Sequence, residues 1–330
     1  MMNRRTWGLG AVLAIGLSLA GAAAPAQETT LRLAHYGSAS DSVTAAAERF
    51  ADLVAEKTDG AVVIELFGNG ELGNSPTMLE GVRLGTIDIV TVGNPFFTGS
   101  LPQLNLLDLP FLFQSDAHAF ATLDGEVGAT LMSSMAGSGL KGLAFWELGF
   151  RNLTNNVRAI MTPADLEGLK LRTTPNPAHV LAFQTMGANP TPMPFAEVYS
   201  ALQTGTIDGQ ENPVNHIYAN KLHEVQKHLS LTAHAYTTSP LVINAGRWDG
   251  LSPEVQTALK EAAVEAAAHQ RQINDEEEAS SLDAMKAAGV MIVEAPDQAA
   301  FRAAVSAVTR AAYIEAHGTT LLDKIDALAR

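Results

Sequence analysis

The sequence predicts an α/β fold divided into two related lobes. Strand-type and helix-type periodicities alternate over the first hundred residues, and a second alternating unit begins near Thr162. A short motif also recurs once in each unit. A chain of 330 residues with 47% hydrophobic content can bury the core such a fold needs, and chains of this size usually divide in two.

Leu31 to His35 alternates apolar and polar residues and reads as the first strand. Helical spacing runs from Ser42 to about Lys57, with Val43, Ala46, Phe50, Leu53 and Val54 on one face. Val62 to Phe67 is a second strand, Pro76 to Leu84 a helix, and Ile87 to Val92 a third strand. This order implies a largely parallel sheet with helices on its faces. In the second unit, Thr162, Pro163 and Asp165 suit the N-cap, first and third positions of a short helix that Gly168 ends. A strand follows over Leu169 to Arg172, then helices over Val180 to Met186 and Phe195 to Thr204.

The recurring motif supports two related lobes. Leu84-Gly85-Thr86-Ile87-Asp88 returns as Thr204-Gly205-Thr206-Ile207-Asp208, each time after an apolar helix. In both, a glycine stops the helix and Thr-Ile-Asp enters a strand. Beyond it, Ser252-Pro253-Glu254 starts helical sequence that continues to about Ala288. Unbroken, that helix would be about 50 Å long and could run along both lobes. A helical pair broken near Asp275 to Glu278 fits the same residues, and that acidic run reads as a solvated face.

The N-terminus carries Arg4 and Arg5, an apolar run from about Leu9 to Ala20, and the A-x-A pattern Ala24-Pro25-Ala26. These are the parts of a secretory signal peptide over residues 1–26; the apolar run is too short for a bilayer span of roughly 20 residues. Formal net charge is −14 over the whole chain; without Arg4 and Arg5, 19 basic residues face 35 acidic ones, −16. Such a chain repels nucleic acid and anionic lipid. It has no cysteine, which excludes disulfides, thiolate metal sites and cysteine nucleophiles. The expectation is a periplasmic protein, without stable membrane insertion and monomeric.

Enzyme signatures fail on context. Gly137 to Gly142 fits G-x-G-x-x-G, but helical sequence precedes it and strand-like sequence follows, the reverse of a dinucleotide site. It reads as a helix-terminating turn. His223 and His228, five apart, would lie on opposite faces of a helix and could not share a zinc. No G-x-S-x-G elbow or P-loop occurs, and neither a metal nor a cofactor is expected.

Polar and cationic residues at element ends stand out instead. Arg172 closes a strand, where open α/β sheets gather ligands. Arg151 follows an apolar segment, and Gln210-Glu211-Asn212-Pro213 closes the strand entered through Ile207. An arginine fork meets both oxygens of a carboxylate and stays charged. On its own, each arginine fits a surface salt bridge at least as well.

The longer context favours the ligand. Asp165-Leu166-Glu167-Gly168-Leu169-Lys170-Leu171-Arg172 and Gly187 to Phe195 resemble the substrate-binding proteins of tripartite ATP-independent periplasmic (TRAP) transporters. So do Glu197 to Gly205 and Asp208-Gly209-Gln210-Glu211-Asn212-Pro213, and the likeness extends over essentially the whole mature chain. It is similar to the dicarboxylate- and sialic-acid-binding branch.

The resemblance implies a two-lobed periplasmic binding protein fold with a cleft between lobes, connecting strands and a long helix spanning both. It places lobe I at residues 27–149 plus 238–277, and lobe II at 150–237 plus 278–330. It implies that Arg172 pairs with the ligand carboxylate, Arg151 assists, Asn212 contacts the ligand and Phe195 packs against it. His35, Tyr36, Asn74 and Asn94 are the first-lobe candidates. Gly93-Asn94, where the sialic-acid binders carry a glutamate, counts against sialic acid. The implied function is capture of a small organic acid (a sugar acid, hydroxy acid or dicarboxylate) and its delivery to a small and a large TRAP membrane subunit driven by an ion gradient. A sensor presenting ligand to a membrane receptor is the other reading, and neighbouring genes would separate the two.

Overall fold

The computed structural model describes residues 29–329, so the expected signal peptide lies outside the described residues. The first unit comprises β1 (Thr29–His35), α1 (Ser42–Lys57), β2 (Val62–Phe67), α2 (Ser75–Leu84) and β3 (Ile89–Thr91). Asp41 and Asn74 cap the two helices by accepting the N–H groups of Val43 and Thr77. The strand expected from Ile87 starts two residues later, because the Thr86 and Ile87 N–H groups turn back to the Gly81 carbonyl.

After 3₁₀ turns come α3 (Asp116–Leu123), α4 (Glu126–Ser134) and the 16-residue β4 (Leu140–Asn155). Gly139, at φ +74°, makes the turn between helix and strand that the order of sequence signals required.

The second unit comprises β5 (Lys170–Thr173), α5 (Pro177–Thr185), β6 (Asn189–Pro192), α6 (Val198–Gln203), β7 (Gly209–Pro213) and α7 (Val214–Ala219). Thr162 and Asp165 form a capping box on the 3₁₀ turn before β5. Helix α5 starts three residues ahead of the periodicity, because the Asn176 side chain accepts the N–H groups of Ala178 and His179. The Phe195 segment opens as a 3₁₀ turn through Glu197 before α6.

The 17-residue β8 (His228–Asn244), α8 (Ala245–Asp249), α9 (Pro253–Ala287), β9 (Met291–Val293), α10 (Gln298–His317) and α11 (Thr320–Leu328) complete the chain. His223 sits in a 3₁₀ turn and His228 opens β8, so different elements separate them rather than opposite helix faces.

One sheet runs through the molecule in the order β2-β1-β3-β8-β4-β7-β5-β6, with β9 added on β8. Strands β1, β2 and β3 are mutually parallel, as are β5, β6 and β7; β4 and β8 pair antiparallel over nearly their whole length. These two long strands are the crossing connections. Each end of the sheet buries an apolar cluster on both faces, Phe50 and Trp146 in one and Phe183 and Phe301 in another.

Helix α9 is continuous for 35 residues. Its Leu259, Ala262, Ala263 and Ala266 pack with α1 and β4, and its Met285 packs with Leu202 and Ile217. Asp275 to Glu278 is exposed, so the acidic run meets no packing that would break the helix.

The C-terminus departs from the expected division. Residues 278–330 were assigned to lobe II, yet Leu322 and Ile325 of α11 bury in the same cluster as Leu123, Val127 and Leu131 of the first lobe. The amphipathic face of α11 finds its apolar partner on α3 and α4, and the His118 ring bonds the Ile325 carbonyl at 2.9 Å.

Candidate ligand-binding site

The crossing strands are irregular at one level. Strand β4 shifts register against β8 between Glu147 and Gly149 and again between Arg151 and Leu153. Gly149 has φ +109°, which a side chain would strain, and Ala233 of β8 adopts φ +43° opposite the second shift. Bulges bend a strand and re-aim its side chains. Helix α9 repairs one of them: Glu147 donates its N–H to Gln270 Oε1 at 3.0 Å, and Gln270 Nε2 donates to the Glu147 carbonyl at 2.9 Å.

Arg151 lies between these bulges, only 1% exposed. Its Nε and Nη2 donate to the Glu211 carboxylate, with Nη2 at 2.9 Å from Oε1. Nη2 also donates to Asn212 Oδ1 at 3.0 Å, and Nη1 to Thr237 Oγ1 at 3.3 Å. Burial alone would raise the Glu211 carboxyl. Arg151 and a hydrogen bond from His234 instead hold it well below the usual carboxylate range. Arg151 and Glu211 are therefore a closed, buried ion pair.

Arg172 is equally buried and differently placed. It is the third residue of β5, at the C-terminal edge of the parallel strands. Its Nε and Nη2 donate to the Met193 carbonyl at 3.2 and 2.8 Å. Among the described residues no carboxylate forms an ion pair with it. Burial lowers its pKa to about 10, with Arg151 adding to the effect and Glu211 and Glu197 opposing it. A guanidinium removed from water without a carboxylate is costly, and an incoming anion relieves that cost.

Both arginines line one narrow cavity between the lobes, together with Asn212, Phe195 and Tyr36. Its room, about 20 Å³, suffices for about one water, so any larger molecule entering it must part the walls. Tyr36 Oη lies 3.0 Å from Ser239 Oγ, and the Phe195 ring meets Tyr36 edge-on. An adjoining cavity of about 230 Å³ shares Tyr36 and Phe195 and holds Asn74, whose Oδ1 is engaged in capping α2.

Two first-lobe candidates lie off the lining of both cavities. His35 is buried beside Gly68, where burial lowers its pKa to about 4. Asn94 is fully buried and commits its amide to the Leu104 carbonyl (2.9 Å) and to Asp108 Oδ2 (2.6 Å). Burial pushes that aspartate up to about 8 against the pull of Asn94 and Arg151.

The sequence reading passed over Thr174, Thr237 and His216, which also line the narrow cavity. His216 follows the Asn212-Pro213 motif by three residues, and its ring packs on Phe195 at 4.4 Å between centroids. Its Nδ1 lies 2.6 Å from Asp41 Oδ2, so it also ties α7 to the first lobe across the cleft. Thr237 is brought in by β8, and no local pattern marks it.

A larger cavity of about 750 Å³ lies between α9 and the crossing strands. Asp116, Glu147, Asp275, Glu278 and Glu294 line it against a single cation, Arg271. Burial raises Glu147, partial shielding from water raises the surface residues Asp116 and Glu278, and neighbouring acids raise each further. An acid-lined space repels organic anions, so size does not make it the ligand site.

Residues 33–316 match the family described as bacterial extracellular solute-binding protein, family 7. The chain is 47% identical to the 2,3-diketo-L-gulonate-binding periplasmic protein YiaO of Escherichia coli over 90% of its length and 91% of that protein. It is 34% identical to the C4-dicarboxylate-binding periplasmic protein DctP of Rhodobacter capsulatus, covering 88% of this chain and 87% of that one. The crystal structure of a TRAP periplasmic solute-binding protein from Polaromonas, bound to D-erythronate, superposes with a TM-score of 0.88 at 36% identity. It covers 90% of this chain and 98% of the other. With its two-lobed α/β fold and the arginine-lined cavity between the lobes, the chain belongs to this family, the solute-binding proteins of TRAP transporters.

Proposed function

We propose that the protein captures a small organic acid, a sugar acid, hydroxy acid or dicarboxylate, by pairing a carboxylate with Arg172, and passes it to TRAP membrane subunits. The observation that carries this reading is a buried guanidinium in the cavity between the lobes whose hydrogen bonds reach only a backbone carbonyl. Arg151 orients the same carboxylate through Nη1, Asn212 contacts the ligand, and Phe195 and Tyr36 pack on its carbon chain.

The lobes meet where β4 and β8 bulge, near residues 149 and 237, and part there to admit ligand. Ligand touching both lobes stabilises the closed form, which the membrane subunits then recognise. The relatives named above support binding without catalysis and export to the periplasm through residues 1–26. No helix among the described residues is long and apolar enough to cross a membrane.

The test is titration calorimetry of the mature chain against aldonates, uronates and hydroxy acids. Arg172→Ala weakens binding by about 2–5 kcal/mol, and Arg172→Lys also loses affinity because one ammonium cannot reproduce the fork. Affinity unchanged in Arg172→Ala sinks the assignment.

A further inference from the structure

We infer that the cavity of about 230 Å³ beside the narrow one is a subsite for the tail of the ligand, built for the hydroxyls of a six-carbon sugar acid. The inference rests on the organic-acid reading above and adds to it a chain length and the residues that read it. The relatives leave the length open: one is named for 2,3-diketo-L-gulonate, of six carbons, and another is bound to D-erythronate, of four.

The two cavities form one path. Tyr36, Ser75 and Phe195 line both. Tyr36 comes from the first lobe and Phe195 from the second, and their rings meet edge-on at 6.0 Å between centroids. Parting the lobes therefore parts the rings, and closing the lobes shuts them on the carbon chain between. The near side keeps room for about one water, so the space for the body of an acid lies beyond the rings. A four-carbon acid ends between the rings, whereas a six-carbon acid carries its last hydroxyls past them.

The lining beyond the rings suits hydroxyls. Asn74 uses Oδ1 to cap α2, which leaves its Nδ2 to donate. Asn220 spends Nδ2 on Asp41 and on the His216 carbonyl, which leaves its Oδ1 to accept. Asn69 stands at the rim with its amide exposed, and Tyr199 Oη has a loose 3.4 Å contact with Glu224. Neighbouring hydroxyls need such mixed partners, because each one both donates and accepts.

Both walls are made of unusual backbone. Asn69 has φ +50° on one side and Lys221 has φ +57° on the other, with Gly70 and Gly73 at +72° and +111°. Neither turn is loose. The Asn69 N–H donates to the Gly37 carbonyl at 2.9 Å and the Gly70 N–H to the His35 carbonyl at 3.1 Å, which fixes this loop beside Tyr36. The Lys221 N–H donates to the Tyr218 carbonyl at 3.0 Å. Side chains held at positive φ carry a cost, and such residues gather at ligand clamps.

Calorimetry with D-erythronate, D-gluconate, L-gulonate and D-galactonate reads chain length, and hexanoate, of the same length as the last three, reads the hydroxyls. The tightest of the three six-carbon sugar acids binds at least about tenfold tighter than D-erythronate and than hexanoate, the effect of one or two net hydrogen bonds. D-erythronate or hexanoate binding as tightly overturns the inference. No binding of any of the five acids instead sinks the organic-acid reading beneath it. Asn74→Ser keeps a cap on α2 and removes the amide, and Asn69→Gly keeps the positive φ and removes the side chain. In each, the ratio of six-carbon to four-carbon affinity falls about fivefold or more. A merely structural role would weaken both acids by the same factor, and a ratio unmoved in both variants overturns the assignment of the tail. Should either variant not fold, Tyr199→Phe removes one hydroxyl from the opposite wall without altering either turn, and the same fall in the ratio is expected of it.

Discussion

In the first lobe Asp88 accepts the Arg32 N–H at 2.8 Å, and in the second Asp208 accepts the Lys170 N–H at 2.8 Å. Gly85 and Gly205, at φ +76° and +72°, close the preceding helices, and Ile87 and Ile207 bury behind them. Leu33 of β1 faces Ile89, and Leu171 of β5 faces Gly209, so the registers also correspond. Two residues beyond each anchored N–H, the lobes diverge: the first carries Ala34 in its core and the second carries Arg172. One frame is used twice, and a buried guanidinium is placed in only one copy. The first lobe lines the cavity with uncharged groups, so under the proposed function capture falls to the second lobe and discrimination to the first.

The strongest way to break this contrast is to exchange the two slots. Ala34→Arg forces a guanidinium into a fully buried apolar site, and it should cost at least about 3 kcal/mol or prevent folding. Arg172→Met removes an unpaired buried charge, and ligand-free stability should rise by about 1–4 kcal/mol while ligand binding is lost. Thermal unfolding with and without ligand reads both. A fall in ligand-free stability would mean that Arg172 is better compensated than its geometry indicates.

A smaller effect concerns the join. Burial would raise Asp41, but His216, together with hydrogen bonds from Val43 and Asn220, lowers it below its ordinary value. A carboxyl with a depressed folded pKa contributes stability in full above its unfolded value of about 3.9, and that contribution is lost as pH falls through the folded value. Urea midpoints should therefore drop below about pH 4, and Asp41→Asn should flatten that acid limb and lower stability at neutral pH by about 1–3 kcal/mol. An acid limb of unchanged slope in the variant would assign the acid sensitivity to other carboxylates.

How much of this was legible in the sequence follows from range. The strands and helices of both units, and the repeated Gly-Thr-Ile-Asp turn, depend on neighbours a few residues away, and periodicity and capping marked them. Five candidate residues meet in one cavity: Tyr36, Arg172, Asn212 and Phe195 stand at or just beyond the C-terminal ends of strands, whereas Arg151 reaches it from within β4, between the bulges. Asn94 stands where the sialic-acid binders carry a glutamate, but its amide is consumed by Asp108, fourteen residues on, and no local rule announces that. Glu211 stood inside the quoted motif without a role, because its partner Arg151 is 60 residues away on another strand. Thr237 is reached only through the pairing of β8 with β4. The docking of α11 on the first lobe was hidden for the same reason: an amphipathic helix shows which face it buries, not where.

The two aspartate anchors offer a finer comparison. Asp88→Ala and Asp208→Ala each remove a charge-assisted hydrogen bond at a strand start and should each cost about 1–3 kcal/mol. Only Asp208→Ala should also weaken ligand binding, because β5 carries Arg172 whereas β1 carries Ala34. Calorimetry on the two variants separates them, and equal loss of affinity would show that binding depends on general stability rather than on the setting of β5.

The smallest effect is the most symmetrical. A Cβ added at Gly205 meets nothing within 4 Å, and one at Gly85 meets the Asn244 side chain no closer than 3.6 Å, an ordinary contact. Neither substitution clashes, so Gly85→Ala and Gly205→Ala should cost only the strain of a positive φ, about 1 kcal/mol or about 2–4 °C each. The two values should agree within about 0.5 kcal/mol. If one alanine is tolerated and the other is not, the turns differ in what surrounds them, and the resemblance between the lobes ends at the backbone.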